Sequence, residues 1–245
     1  MKPGERPSGG GFGWNSSDET RETPRKSQDG NTGRMDSGNR NLKPETLIMK
    51  ADLTPELLLE AYASGVFPMG IDDGSIRWFS PDPRGILPLG GFHTPHGLQK
   101  ALRRPGWELR TDTAFDEVVA ACAEREETWI TPLIRKAYGK LFASGHAHSV
   151  EIWQEGRLAG GLYGVALGGA FFGESMFHRV TDASKVALWH LVRLLRENGF
   201  TLLDTQWTTE HLQQFGAVEI GRGDYLQRLH EALHRAALFP KIGPA

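Results

Sequence analysis

The sequence predicts an α+β fold in which helices pack against a mainly antiparallel sheet. Apolar residues recur at helical spacing in several segments, and a central aromatic-rich stretch alternates as strands do before one more helix and strand follow. We expect a disordered tail over 1–46, a small N-terminal domain over 47–92 and a larger domain over 93–240. The 39% of hydrophobic residues suffices for a core of that size.

The first predicted helix follows the tail, which has almost no aliphatic residues and therefore cannot offset the entropy of ordering. Basic residues in the tail either tether RNA or are simply solvated. Thr54 can cap a helix whose first residue is Pro55, and Gly65 stands just past its end. The Pro- and Gly-dense stretch that follows predicts loops and short strands.

Three more helices are predicted before the central stretch. A short basic one lies behind Thr94 and Pro95. Thr113 with Asp116 resembles a capping box for the second, and Thr131 followed by a proline opens the third. The apolar faces of the second and third helices are predicted to be Phe115, Val118, Val119 and Cys122, and Ile134, Ala137, Tyr138 and Leu141.

Strands are predicted between His146 and Phe177, with a hairpin turn at 154–156. A helix follows with Asp182 as a candidate cap, with Leu188, Leu191, Val192 and Leu195 on its apolar face and with Gly199 as its stop. The segment FTLLDTQW then predicts a last strand.

Composition excludes several classes of protein. The net charge of -2 gives no global sign of nucleic-acid binding, so any RNA contact needs a local basic patch. Cys122 is the only cysteine, which excludes an internal disulfide and fits a reducing compartment. No apolar run approaches the roughly 20 residues that cross a bilayer. We expect a cytoplasmic monomer without metal, cofactor or membrane contact.

Two polar groups are candidates for chemistry. Asp204 and Gln206 are two apart on the last strand and would share a face, either as a site or as a strand end that meets water. Glu174 lies in the apolar stretch FFGESMF, where an unpaired charge would cost several kcal/mol. Its partner could be a structural group, such as Arg179 or Lys185, or the ammonium of a substrate.

Other candidates are weaker. Trp78, Phe79, Trp129 and Trp153 lie near predicted loops or element ends, where aromatic rings either stack on a base or belong to the core. His146 and His148 share a strand face but have no third ligand at a recognisable spacing, which favours structural histidines. The run GVALGGA has neither a phosphate-loop lysine nor the dinucleotide pattern.

Seven short motifs, in order, resemble the leucyl/phenylalanyl-tRNA-protein transferase family, over about 53–229. They are FSPDPRG (79–85), TWIT (128–131), GHAHSVE (145–151), GGLYGV (160–165), FGESMF (172–177), ASK (183–185) and LLDTQ (202–206). The resemblance implies a small N-terminal domain joined to a larger acetyltransferase-like (GNAT-type) domain. It also implies transfer of leucine or phenylalanine, and less readily methionine, from tRNA to proteins that begin with arginine or lysine, which marks them for N-end rule degradation.

The resemblance also carries residue roles. Asp204, Gln206 and Glu174 match the family's acidic and amide residues, which we interpret as the catalytic group. Trp129 and one of Trp78 or Phe79 match aromatics that hold the terminal adenosine. The pocket for the transferred side chain is matched by Leu162, Phe171, Met176, Leu188 and Leu203. Thr209 departs from the family, which often has Asn there.

Lys100, Arg103 and Arg104 on the basic helix are candidates for binding acceptor-stem phosphates, with a solvated helix face as the alternative. Two rival functions stay open at this point. One is an acetyl-CoA-dependent acetyltransferase, although no pyrophosphate loop is evident at 176–185. The other is a non-catalytic module that recognises basic protein N-termini.

Overall fold

A computed structural model describes residues 53–71 and 73–244. The predicted tail therefore lies outside the described residues. The fold class is confirmed: helices cover both faces of a seven-stranded, mainly antiparallel sheet, beside a separate two-stranded sheet. In the described part of the chain, no helix is both long and apolar enough to span a membrane.

The N-terminal part begins with helix α1 (Pro55–Ala63), followed by strands β1 (Phe67–Gly70) and β2 (Ile76–Phe79), which pair with each other as an antiparallel hairpin. The Thr54 hydroxyl accepts a hydrogen bond from the Leu57 N–H, as predicted for a cap. Gly65 has a φ of 75°, which a residue without a side chain adopts at no steric cost.

The large sheet has the order β4-β5-β6-β7-β8-β3-β9. Its strands are β3 (Arg84–Ile86), β4 (Glu108–Thr111), β5 (Ala147–Gln154), β6 (Arg157–Leu167), β7 (Ala170–His178), β8 (Leu202–Gln206) and β9 (Val218–Ile220). Only β7 and β8 run parallel among these strands, and they pair over just Ala170–Phe172 and Leu202–Asp204. Beyond that point β7 stays paired with β6 and β8 with β3, but no backbone pairing joins the carboxyl ends of β7 and β8. We call this break in the pairing the crevice.

Helices form a layer on each face of this sheet. They are α2 (His96–Leu102), α3 (Phe115–Ala123), α4 (Pro132–Ala143), α5 (Ala183–Glu197), α6 (Glu210–Gln213) and α7 (Arg222–Leu233). Buried side chains of α1, α3, α4 and α7 share one apolar cluster, and those of α2, α5 and α6 share another. Neighbouring strand residues such as Phe171 and Phe172 belong to opposite clusters because strand side chains alternate.

The predicted helix faces and the 154–156 turn are confirmed, but two predicted caps are wrong. Thr113 does not cap α3, which begins after Ala114; instead the carboxylate of Glu151 on β5 accepts bonds from the N–H groups of Thr113 and Ala114. Asp182 precedes α5 in a left-handed conformation and its side chain makes no cap bond. Glu151 thus binds the backbone just before α3, whereas the Asp182 side chain binds Arg104 and Lys185 instead of the start of α5.

Strand β3 lies within the predicted N-terminal domain, yet it pairs with β8 and β9 of the large sheet. The 47–92 segment therefore supplies one strand to the main sheet as well as its own hairpin. The boundaries at 46 and 92 stay predictions. What matters for function is that β3 brings Arg84 against the end of β8.

Candidate active site

The carboxylate of Asp204 is fully buried, and both of its oxygens accept hydrogen bonds. Arg84 binds it in a bidentate manner, from Nε to Oδ1 at 3.0 Å and from Nη2 to Oδ2 at 2.7 Å. The hydroxyl of Tyr225 donates to Oδ2 at 2.6 Å. These charge-assisted hydrogen bonds fix the position of the carboxylate.

Arg84 is itself held rigidly. Its guanidinium lies between the rings of Phe67 and Tyr225, 4.8 and 4.5 Å from their centroids, and Nη1 donates to the Gly65 carbonyl at 3.0 Å. Burial disfavours the cation, but the charge and hydrogen bonds of Asp204, together with the nearby Tyr225 and Glu174, outweigh it and hold the pKa of Arg84 above its ordinary value. Sequence reasoning missed Arg84 as a site residue, although it stands in the FSPDPRG motif, because Asp204 is 120 residues away.

Asp204 sets the backbone of Gln206. The Gln206 N–H donates to Asp204 Oδ1 at 2.8 Å, and Gln206 takes a φ of 66°, which is uncommon for a residue with a side chain. This turn directs the Gln206 amide to Glu174, where Nε2 donates to Oε1 at 3.2 Å. An amide that donates through its nitrogen presents its oxygen to another donor.

Glu174 is fully buried at an irregularity of the β6–β7 pairing and is bound only by neutral groups. Tyr62 donates to Oε1 at 2.7 Å and Tyr138 to Oε2 at 3.1 Å, and the two tyrosine hydroxyls also contact each other. Burial raises the pKa of the Glu174 carboxyl to about 7, against the opposing effect of these hydrogen bonds and that of Gln206. Sequence reasoning missed both tyrosines, which lie on α1 and α4.

The predicted ionic partners of Glu174 are wrong. Arg179 donates to Glu117 at 2.8 Å on the surface, and Lys185 donates to Asp182 at 3.2 Å. Both basic residues follow Glu174 closely in sequence, but they lie where β7 gives way to α5 and bind acids there. Glu174 does have structural partners, as one of the two alternatives required, but they are Tyr62, Tyr138 and Gln206.

The predicted pocket residues come together as one group. Each is at most 1% exposed, and all belong to the cluster beneath α5: Leu162, Phe171, Met176, Leu188 and Leu203. Glu174 packs with Tyr62 and Tyr138 against the other cluster, on the opposite face of the sheet. The sheet itself therefore separates the apolar group from the acidic one.

The predicted adenosine-binding aromatics are partly exposed and pack on the α1 face of the sheet. Trp78, Phe79 and Trp129 all border that cluster. Phe79 lies 6.1 Å, between ring centroids, from both Phe67 and Trp207. Trp207, directly after Gln206, belongs to the same aromatic group and was missed, since it was interpreted only as a strand residue.

Trp153 lies elsewhere. Its ring carries the Arg110 guanidinium at 4.3 Å, and its Nε1 donates to Glu151, so it supports β5.

All three predicted phosphate contacts are exposed, and one of them also binds an acidic residue. Lys100 and Arg103 are exposed at the end of α2. Arg104 donates to Asp182 at 2.9 Å, which ties α2 to the start of α5.

His148 is a structural histidine: Nδ1 lies 2.8 Å from Asp112 and the ring stacks on Phe239 at 4.4 Å. Over the described residues, no three His, Cys, Asp or Glu side chains gather as a metal site would require.

Family models match the chain over most of this fold. One, described as leucyl/phenylalanyl-tRNA protein transferase, covers residues 86–230, and the N-terminal domain model of the same proteins covers 51–82. The chain belongs to this family. The matched ranges include Glu174, Asp204, Gln206 and every other residue predicted from the resemblance.

Curated relatives carry the name leucyl/phenylalanyl-tRNA--protein transferase. The Salinibacter ruber protein is 60% identical over 186 residues, which cover 76% of this chain and 82% of that protein. The Paramagnetospirillum magneticum protein is 56% identical, covering 77% and 93%. The Akkermansia muciniphila protein is 57% identical, covering 76% and 98%.

Similar solved structures are more distant. The structure of L-PGS from Bacillus licheniformis has 12% identity and a TM-score of 0.42, covering 63% of this chain and 65% of that chain. A GCN5-related N-acetyltransferase from Kribbella flavida has 13% identity and a TM-score of 0.38, covering 68% and 60%. Scores this low support no inference about activity.

Proposed function

We propose that this chain transfers leucine or phenylalanine, and less readily methionine, from aminoacyl-tRNA to proteins that begin with arginine or lysine. Membership of the transferase family is the observation that carries the proposal. We further propose that the chain acts in the cytoplasm as a monomer and marks its products for N-end rule degradation.

The transfer reaction does not need a strong general base. An aminoacyl ester is already activated, and a protein α-amino group has a pKa of about 7.7 to 8.0, so an appreciable fraction is neutral at pH 7. The enzyme mainly has to hold the amine against the ester carbonyl, a contribution that can reach about 7 to 11 kcal/mol. A residue that orients the amine therefore matters more than a strong base.

Gln206 is our candidate for that orienting residue. With its nitrogen donating to Glu174, its oxygen is directed to accept a hydrogen bond from the attacking amine. Asp204 holds the Gln206 backbone, and its own charge is balanced by Arg84. We assign Asp204 to positioning Gln206 rather than to attracting positive charge.

Glu174 is our candidate for the acceptor's positive charge. Among the described residues, the hydrogen bonds to its carboxylate come from hydroxyls and an amide and not from a cation. An arginine or lysine side chain at this site would stabilise the ionised form, which burial alone disfavours. This explains why basic N-termini would be chosen.

The aminoacyl-tRNA would be held by the apolar cluster, the aromatic residues and the basic patch. The apolar cluster beneath α5 would take the leucine or phenylalanine side chain, with leucine favoured over valine because a missing methylene is worth about 1 to 3 kcal/mol. Trp129 and one of Trp78 or Phe79 would stack on the terminal adenosine. Lys100 and Arg103 would contact acceptor-stem phosphates, with Arg104 bracing α2.

A direct test mixes the protein with leucyl-tRNA and a peptide that begins with arginine. Mass spectrometry should find one added leucine, and uncharged tRNA is the control. Acetyl-CoA in place of leucyl-tRNA tests the acetyltransferase alternative in the same assay. Binding of the peptide without any added mass would instead favour the recognition module.

A further inference from the structure

Helix α5 begins five residues after the carboxyl end of β7, and its start is not capped. Asp182, the residue before the helix, has a φ of 71°, and its carboxylate binds Arg104 and Lys185 instead of the helix end. No described group pairs with the backbone N–H of Ser184 or of Lys185. A 15-residue helix thus presents free donors and the positive end of its dipole.

Ser184 provides a second, independent observation at the same place. It is 1% exposed, and its Oγ is buried without any hydrogen-bond partner among the described residues. A buried hydroxyl without a partner costs roughly 1 to 3 kcal/mol. The Ser184 hydroxyl therefore lowers the stability of the free protein, unless a bound ligand supplies its missing hydrogen-bond partner.

The position of Ser184 points to the donor side of the site. It precedes Leu188 by one helical turn on the same face of α5, and Leu188 belongs to the predicted pocket for the transferred side chain. Ala183 packs on Gly160 of β6, so closely that a Cβ at Gly160 would lie 2.7 Å from the Ala183 Cβ. The helix start is therefore pressed against the sheet above the apolar cluster.

Further unpaired polar atoms lie at the ends of the two strands that form the crevice. His178, which ends β7 and pairs across with Gly160, has a buried Nδ1 without a partner. Thr205, next to Asp204 on β8, has a buried Oγ1 without a partner. Ligands in open α/β sheets bind at such carboxyl ends of strands.

We propose that the Ser184 hydroxyl and the N-terminus of α5 bind the carbonyl oxygen of the aminoacyl ester and stabilise the charge that develops on it. This rests on the proposed transfer reaction. The acceptor nitrogen bonds to the ester carbon, and the carbonyl electron pair moves to the oxygen beside Ser184. When that pair returns, the bond to the ribose oxygen breaks, and the ribose oxygen ends with the proton lost from the nitrogen.

Ser184 and the N-terminus of α5 supply hydrogen-bond donors for the ester oxygen, which the two acids of the site cannot supply as anions. Glu174 and Asp204 are anions or acceptors and would disfavour negative charge on the ester oxygen. Hydroxyl and N–H donors aimed at that oxygen are the groups that stabilise a tetrahedral intermediate. They lie on the α5 face, with the apolar cluster, while the amine would approach from the face of Glu174.

Ser184→Ala tests the proposal through two opposite effects. Turnover of leucyl-tRNA should fall about 100-fold, the usual result of removing one such donor, with the KM for both substrates little changed. Unfolding by denaturant should show a variant at least as stable as the parent, because an unpaired buried hydroxyl has been removed. Ser184→Cys, similar in size but a weak donor, should show the same loss of turnover.

A binding measurement separates the outcomes. A 3′-leucylamido-adenosine that cannot be hydrolysed should bind the parent protein and Ser184→Ala equally well, since the ground state needs the donor least. Unchanged turnover in Ser184→Ala, or equal losses of turnover and analogue affinity, would overturn the assignment. If the parent protein itself transfers no leucine, the proposed function fails instead.

Discussion

Two buried carboxylates of the site, Asp204 and Glu174, are held in different ways. Asp204 meets a guanidinium, a tyrosine and a backbone N–H, and its charge is balanced within the fold. Glu174 meets two tyrosines and an amide, all neutral, and its pKa is raised to about 7 by burial. The first is built as a permanent anchor, whereas the second is left able to gain a proton or a cation.

This difference divides the roles within one site. Asp204 and Arg84 fix the turn that aims Gln206, so they act before any substrate arrives. In the proposed function, Glu174 would receive the cationic side chain of a basic acceptor. The family resemblance matches both acids alike, and only their surroundings tell them apart.

The largest expected effect is on the anchor. Arg84→Ala should lower the free energy of unfolding by about 3 to 5 kcal/mol, because it leaves Asp204 as a buried charge without a counterion. Arg179→Ala, which removes a surface pair with Glu117, is the matched control and should cost less than about 1 kcal/mol. Denaturant unfolding measures both. Equal losses would contradict the anchor role.

The next effect is the pH dependence of stability contributed by Glu174. Its folded pKa of about 7 lies above the ordinary 4.5, so the folded state keeps its proton longer than the unfolded chain does. Stability should therefore fall as pH rises from about 4.5 to 7, by a few kcal/mol relative to Glu174→Gln. Unfolding curves of the two proteins across this range provide the measurement, and parallel pH profiles would refute the raised pKa.

Gln206→Ala should slow transfer about 100-fold while tRNA affinity changes little, since a misplaced reactant costs about that much. Single-turnover transfer and a separate binding titration measure the two quantities. Gln213→Ala, on the outside of α6, is the control and should leave both unchanged. Equal losses in rate and affinity would argue against orientation.

The smallest effect concerns the basic patch. Lys100→Ala and Arg103→Ala should each reduce the slope of log affinity against log salt for tRNA by about 1, as expected for one phosphate contact. Lys241→Ala is a basic control outside α2 and should leave the slope unchanged. If the α2 variants leave the slope unchanged, the helix face is merely solvated.

Local signals predicted local structure well. Thr54 and Thr131 cap α1 and α4 as expected, because each hydroxyl binds an N–H three residues ahead. The caps of α3 and α5 were mispredicted, because Glu151 lies 37 residues beyond Ala114 and Arg104 lies 78 residues before Asp182. Residue patterns carry no information on contacts at such separations.

The candidate site was likewise predicted where the signals were local and missed where the contacts are distant in sequence. The motifs placed Asp204, Gln206 and Glu174 on the right strands, and the structure brings them together. Arg84 and Tyr62, which decide how the two acids differ, lie 120 and 112 residues from their partners. No spacing could have assigned them.

The measurement that tests the account most directly compares two acceptor peptides that differ only in their first residue, arginine or its neutral isostere citrulline. With leucyl-tRNA, the parent protein should add leucine to the arginine peptide with a kcat/KM on the order of 30-fold higher, since losing one partner of a buried charge pair costs at least about 2 kcal/mol. Glu174→Gln should abolish that preference. No added leucine in the parent, or an arginine preference that survives in Glu174→Gln, would contradict the account.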